Sequence, residues 1–293
     1  MSEQPLLSLP MRSLETIELS RFTVPDGACD THTHVFGPLD RYPAVAHPHY
    51  TLPDGKLQHY LGLMRLLGLS RFVIVQPSFY GTDNSCLLNA LSAAAPYASG
   101  VVMVSPDVDD SELRRFHSLG VRAIRIDLFK VANEPLPVIK SLIAEMAKKA
   151  AALHWHLQFY APGSLVKELI DFFAELDIDF VIDHMGYMLE EEGLTDKDFA
   201  RLLELSRCGR CWLKLSGPYR IAKSRGYAAV SHLAKSIVEA APERTIWGSD
   251  WPHIPNSDRD TGELLNLLLD WAPDDDVRKR ILVDNPATLF GFT

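Results

Sequence analysis

The chain is poor in the features that would take it out of ordinary globular chemistry. It has four cysteines in 293 residues, Cys29, Cys86, Cys208 and Cys211, too few for a disulfide framework at this length. No stretch of 18 apolar residues occurs, so no membrane-spanning helix is expected. Residues 1–22 mix acids and bases and lack an apolar h-region, so no secretory signal is expected and a cytoplasmic location is. Lys and Arg total 29 against 38 Asp and Glu, a net charge of −9 without a basic run. Binding to nucleic acid or to an anionic membrane normally leaves a basic patch, and neither partner is expected. The acidic balance also repels small anions at long range, so an anionic substrate would need local arginines to overcome that field. Linkers, repeats and low-complexity segments are absent. One domain over 1–293 is expected, with 1–24 as an N-terminal extension and 274–293 as two short C-terminal helices, Pro286 starting the second.

Against these absences stands one regular signal. Eight strand-like apolar runs recur along the chain, at 28–36, 72–77, 101–105, 121–128, 156–160, 180–183, 212–215 and 245–248. Helical patterns separate them. Residues 57–67 carry a stripe at Leu57, Tyr60, Leu61, Met64 and Leu67, and 136–152 and 165–176 behave likewise. Ser111 is the expected cap of the helix after the third run, and Asp83 or Asn84 that of the helix after the second. Val73-Ile74-Val75 and Val101-Val102-Met103-Val104 do not alternate with polar residues, the pattern of strands buried on both faces. Eight strand-then-helix units predict an α/β fold, a (β/α)₈ TIM barrel. An open doubly wound sheet would want a Gly-rich phosphate loop after its first strand, where this chain has His34-Val35-Phe36-Gly37-Pro38. The longest irregular stretch, 37–55, is a candidate lid.

Barrel active sites lie at the C-terminal ends of the strands, and polar groups converge there from seven of the eight runs. His32 and His34, two apart on a strand, point to one face. Together they can hold a divalent metal or hydrogen-bond a substrate oxygen. His184 ends the sixth run and Asp250 follows the eighth. A carboxylate among imidazoles can deprotonate an attacking water; the bland alternative is an Asp that caps the next turn. Arg125 and Arg220 are candidates for bidentate carboxylate recognition. Tyr50, Ser78 and Tyr160 offer further donors, with packing or turn chemistry as the alternative. Cys208-Gly209-Arg210-Cys211 precedes the seventh run, at the end of a barrel that keeps stability rather than chemistry, and no second Cys pair accompanies it. His154 and His156 read as structural, and His47 and His49 have no visible partner.

The set Asp30-Thr31-His32-Thr33-His34, Ile182-Asp183-His184 and Trp247 to His253 resembles the amidohydrolase superfamily. His34 to Pro38, Val75-Gln76, Gly81-Thr82-Asp83-Asn84 and Val181 to Gly186 are similar to its 2-pyrone-4,6-dicarboxylate lactonase branch. That resemblance implies lactone hydrolysis in catabolism of aromatics or sugars. His32, His34 and His184 would polarise the carbonyl, Asp250 would activate water, and Tyr50, Ser78, Arg125, Tyr160 and Arg220 would hold a carboxylated or otherwise anionic lactone. The chain departs from the pattern at Phe129-Lys130-Val131, where Val131 stands in place of a second arginine. Lys130 can supply the charge but not the bidentate geometry.

The branch works without metal, and none is expected here. The strand ends also lack the bridging residue of a two-metal site. The alternative is one zinc or manganese held by His32, His34, His184 and Asp250, in a hydrolase or a decarboxylase of an aromatic acid. A catalytically inactive barrel acting in assembly is the non-enzymatic alternative. The expected partner is a small anionic lactone, with a homo-oligomer left open.

Overall fold

The computed structural model describes residues 11–44, 52, 53, 55–189, 194–254 and 258–292. Eight strands pair in parallel and in chain order: β1 (Cys29–Thr33), β2 (Arg71–Val75), β3 (Ala98–Val102), β4 (Val121–Asp127), β5 (His156–Tyr160), β6 (Phe180–Ile182), β7 (Cys211–Leu215) and β8 (Thr245–Trp247). Beyond β8 the chain bonds back to the first strand. Asp250 N–H donates to the His32 carbonyl and His34 N–H to the Trp251 carbonyl, both at 2.8 Å. The fold is the (β/α)₈ barrel that the eight runs predict.

Between the strands run α1 (Leu57–Leu67), α2 (Ser85–Ala94), α3 (Asp110–Ser118), α4 (Leu136–Ala151), α5 (Gly163–Ala174), α6 (Asp196–Cys208), α7 (Pro218–Ala222) and α8 (Ala228–Ala240). The helix α1 buries Tyr60, Leu63, Met64 and Leu67 and stops at Gly68, whose φ of 74° closes a left-handed C-cap. Leu63 thus takes the place expected of Leu61. Helix α6 begins with a capping box between Thr195 and Asp198. For α3 the cap residue is Asp109 and not Ser111, which lies inside the first turn. Helix α2 is entered through Asn84, while the Asp83 carboxylate accepts from Ser85 N–H.

Alternation along the strands sorts the core into two shells. Phe72, Ile74, Ile124, Leu157, Phe159, Phe180, Ile182 and Leu213 face the helices. Cys29, Val73, Val75, Val101, Ala123, Val181, Trp212 and Ile246 fill the lower lumen. Strand β3 begins at Ala98, three residues before its apolar run. Ser99 hides its hydroxyl on the Gly120 carbonyl, and a Cβ on Gly100 would meet Leu91 Cδ1 at 2.6 Å, so polar and small residues stand where apolar ones were expected.

After β8 come α9 (Thr261–Asn266), α10 (Leu268–Trp271), α11 (Asp275–Lys279) and α12 (Asn285–Phe290). The last two are one helix interrupted by a π-turn over Arg280–Asp284. Pro286 sits in the first turn of α12 and has no N–H to give to the preceding turn, which accounts for the widened stretch before it. Within the N-terminal extension, Glu18 N–H donates to Asp260 and Arg21 N–H to Asn266, which ties it to α9. Among the described residues no helix is long and apolar enough to cross a membrane.

Candidate active site

Cys29 faces the lumen, so strict alternation would bring Thr31 and Thr33 inward after it. The structure turns His32 and His34 inward instead. Between Asp30 and Thr33 the pairing with β2 shifts by one residue, and this β-bulge re-aims the side chains that follow. Asp30 holds the bulge together. Its carboxylate accepts from the backbone N–H groups of His32 (3.0 Å) and Ser249 (2.8 Å), and from the hydroxyls of Ser249 and Tyr60. Burial still pushes the Asp30 carboxyl above its usual range. Gly248 is required at the same junction, because a Cβ there would stand 2.5 Å from His32 Cβ and 2.8 Å from its backbone nitrogen.

The expected quartet does assemble. Asp250 Oδ1 lies 3.6 Å from His32 Nε2 and 3.5 Å from His34 Nε2. The His32 ring centre is 5.0 Å from those of His34 and His184. Asp250 adopts a φ of 62° and His184 one of 51°, a conformation uncommon for residues with a Cβ and concentrated at functional sites. Beside His184, Gly217 (φ 55°) leaves room for the imidazole, since a Cβ would approach its Nδ1 to 2.7 Å.

The hydrogen bonds fix roles that the sequence left equal. His34 Nδ1 lies 2.8 Å from the Val75 carbonyl. A carbonyl only accepts, so Nδ1 carries a hydrogen, and in its neutral form the ring presents its lone pair at Nε2. His184 Nδ1 pairs with Ser216 Oγ at 2.8 Å, and burial lowers its pKa to about 4. Burial also holds His32 well below the usual histidine range. For Asp250, burial alone would raise the pKa, but the ion pair with Arg220 leads the neighbours that outweigh it and hold the carboxylate well below its usual range.

Above the quartet opens a cavity of about 130 Å³, lined by Ser78, Arg125, Tyr160, His184, Arg220 and Asp250 among others. His32 lies beneath it, fully buried. Arg220 Nε contacts Asp250 Oδ2 at 2.5 Å, and the Tyr219 hydroxyl donates to the same oxygen. Arg220 therefore reaches the carboxylate as well as the cavity. Arg125 donates to the Gln76 carbonyl at 2.9 Å and lies 4.7 Å from the Tyr160 ring centre. The Ser78 hydroxyl donates to Asp127, and Lys130 Nζ reaches the Ser78 carbonyl at 3.1 Å from an exposed position. Phe129, Tyr160 and Tyr187 form an aromatic rim. Tyr50, His47 and His49 lie outside the described residues, as does part of the candidate lid, and so does the Cys208 side chain. Cys211 is buried at the start of β7, with its thiol pushed up by desolvation, the state of an inert cysteine. His156 is buried as well, its pKa lowered to about 3.

Sequence reading missed the layer below. Lys214 on β7 is fully buried, its Nζ 3.0 Å from Asp183 Oδ1 and 3.2 Å from His32 Nδ1. Gln158 donates to Asp183 Oδ2 at 3.0 Å. Tyr219 was missed too. The only signal for Lys214 is a lysine inside an apolar strand, in step with Trp212 and Ser216. A larger surface depression, about 870 Å³, lies on the far side between α5 and α6. Acids and bases there already pair, Arg201 with Asp171 and Arg210 with Asp177, so the smaller cavity is where the chemistry converges.

Ligand atoms of His32, His34 and Asp250 lie within 4.8 Å of one another, as do those of His32, Asp183 and His184. Three positive side chains surround these sets: Lys214 behind His32, Arg220 on Asp250, and Arg125, whose Nε is 3.9 Å from Asp183.

A (β/α)₈ barrel that gathers imidazoles and buried carboxylates at its strand tips is built as a barrel hydrolase. The amidohydrolase family model matches residues 29–292, and the chain belongs to that family. It is 36% identical over 280 residues to 4-sulfomuconolactone hydrolase of Hydrogenophaga intermedia, covering 92% of this chain and 91% of the relative. It is 33% identical over 282 residues to 2-pyrone-4,6-dicarboxylate hydrolase of Comamonas testosteroni, covering 92% of each. Among solved structures, a probable 2-pyrone-4,6-dicarboxylic acid hydrolase from Acinetobacter baumannii with citric acid bound superposes with a TM-score of 0.80 at 27% identity, over 91% of this chain and all of that one.

Proposed function

We propose that this chain hydrolyses a small lactone that carries an anionic group, without a metal. The observation that carries the reading is the ionised Asp250 on the cavity floor, 3.5 Å from a histidine nitrogen whose lone pair faces it. A water between Asp250 Oδ1 and His34 Nε2 can donate one hydrogen to each, which turns its own lone pair toward the cavity. As that oxygen bonds to the lactone carbonyl carbon, Asp250 takes the proton. Arg220 and the His184 ring border the space where the carbonyl oxygen gains charge. The ring C–O bond then breaks, and the proton on Asp250 passes to the leaving oxygen. The product is the open hydroxy acid.

Arg125 and the rim Lys130 supply positive charge for the substituent anion. A sulfonate or carboxylate suits that pair, in keeping with the lactones named for the relatives. Val131 stands where the dicarboxylate pattern has an arginine, so one firmly held anion fits this rim better than two.

The alternative, a mononuclear zinc or manganese enzyme, draws on the clustered ligand atoms. The surroundings disfavour it. Arg220 already neutralises Asp250, and Lys214 stands behind His32, so a divalent ion would add charge to a site that already holds three cationic groups.

Protein stripped with a chelator, assayed for ring opening on lactones with and without a carboxylate or sulfonate, tests the reading. Turnover confined to anionic lactones and indifferent to chelator is expected. Activity that appears only with zinc or manganese overturns it.

A further inference from the structure

Lys214 sits on β7 in the middle of the barrel, where nothing reaches solvent. A buried ammonium needs a reason, and Asp183 beside it supplies only half of one. The other half is His32. The Nζ to Nδ1 distance is 3.2 Å, and this is the hydrogen bond that Nδ1 makes. Asp183 Oδ1 is farther from Nδ1, at 3.4 Å, and is met at 3.0 Å by the Lys214 ammonium. An ammonium has three donors and no acceptor. Nδ1 must therefore accept, and the neutral ring carries its hydrogen on Nε2. That nitrogen faces Asp250 Oδ1 at 3.6 Å, and both atoms are buried, with no hydrogen bond of standard geometry among the described residues.

We infer that Lys214 is a positioning residue: it fixes His32 as the Nε2–H tautomer, so that the floor of the site presents a donor to Asp250 where a third metal-ligating lone pair would otherwise stand. The inference deepens the lactonase reading and rests on it only for the role of Asp250.

The alternative arrangement is one bond away. Without Lys214, His32 Nδ1–H would donate to Asp183, the usual acid-to-histidine support of a ligating imidazole. Nε2 would then join His34 Nε2 and Asp250 Oδ1 as a third lone pair within the same 4.8 Å cluster. One lysine thus separates a hydrogen-bonding floor from a zinc-binding one.

The decisive measurement uses the unaltered protein. With ¹⁵N-labelled histidine, long-range proton–nitrogen couplings report which ring nitrogen of His32 is protonated, its signals being assigned by their loss in His32→Gln. Protonated Nε2 and unprotonated Nδ1 are expected, and the reverse pattern overturns the inference. In Lys214→Met the hydrogen should move to Nδ1, and zinc alone should bind at one equivalent with an affinity raised roughly 10–100-fold over the parent. Its kcat should fall with KM little changed. A Lys214→Met protein that folds yet keeps Nε2–H and the parent's zinc affinity also overturns it. Lys214→Arg retains donors only and should restore Nε2–H and the weak zinc affinity of the parent; failure to do so counts against the inference. The tautomer and zinc-affinity readouts involve no lactone. Nε2–H in a protein that opens no lactone would sink the functional reading alone, and Nδ1–H in an active lactonase would sink this inference alone.

Discussion

Arg220 Nε lies 2.5 Å from Asp250 Oδ2, so the carboxylate at the centre of the site is already an ion pair before any substrate arrives. One guanidinium does two things at once: it lowers the basicity of Asp250, and it borders the space where substrate charge develops. Replacing it should therefore change both pH dependence and binding. In Arg220→Met, the acid limb of kcat against pH should move upward, because Asp250 loses the first of the partners that offset its burial. KM for anionic lactones should rise as well, and that for neutral lactones much less. A pH–rate series on acidic and neutral substrates separates the two effects. An unmoved acid limb would show that Arg220 does not tune the base.

Asp250→Asn removes the proton acceptor while keeping size and most hydrogen bonds. Turnover should drop by roughly 10²–10⁴-fold, the usual worth of a positioned base. Binding of a ring-opened product or analogue, measured by calorimetry, should change far less. A variant with near-parental kcat would mean that another group takes the proton.

Gly217 occupies a left-handed conformation against the His184 ring. In Gly217→Ala the new Cβ would meet His184 Nδ1 at 2.7 Å, and the backbone conformation itself would cost about 1–3 kcal/mol. Activity should fall at least tenfold, with a lowered thermal midpoint. A crystal structure of the variant should show the imidazole displaced from Ser216.

Four buried histidines, His32, His156, His184 and His253, contribute to the acid stability. Desolvation lowers His156 to about 3, and His184 and His253 to about 4, from a usual value near 6.5. They stay neutral in the folded chain and take up protons on unfolding, so unfolding is favoured as pH falls from about 6.5 toward 4. Above 6.5 their effect vanishes. Each proton taken up weakens the fold by about 1.4 kcal/mol per pH unit within that window. Urea midpoints at pH 7, 6 and 5 should decline accordingly. A flat profile would mean that these rings are not neutral in the native state.

Lys130 stands exposed at the rim and, among the described residues, has the Ser78 carbonyl as its hydrogen-bond partner. Lys130→Met should raise KM for an anionic lactone several-fold, leave kcat nearly unchanged, and reduce the salt dependence of kcat/KM. Equal KM values for parent and variant across ionic strength would remove Lys130 from substrate recognition.

The barrel was legible because apolar runs such as those of β2 and β4 have no other stable reading, and the seven-residue β4 (Val121–Asp127) ends one residue short of its run. The His-x-His pair, His184 and Asp250 were legible because strand tips are where a barrel concentrates polar groups. What escaped was whatever depended on distance across the lumen. No local feature of Asp-Thr-His-Thr-His announces the extra residue in β1, because the compensating contacts come from Ser249 and Tyr60. Lys214 went unread, since its partners lie on β1 and β6. Arg220 was read for its reach to substrate, and its pairing with Asp250 follows from the turn at Gly217 and Pro218, whose course the sequence does not specify.

The backbone bonds that join the end of the barrel to its beginning come from His32, His34, Asp250 and Trp251. Three of the four are residues on which the proposed hydrolysis would depend, so the seam of the cylinder and the proposed reactive centre are one object. Were that seam to part, even briefly, the base would leave its imidazoles while the rest of the wall stayed intact. Catalysis in such a molecule reports on the weakest stitch of the barrel, and mild denaturant should silence it before the bulk of the fold gives way.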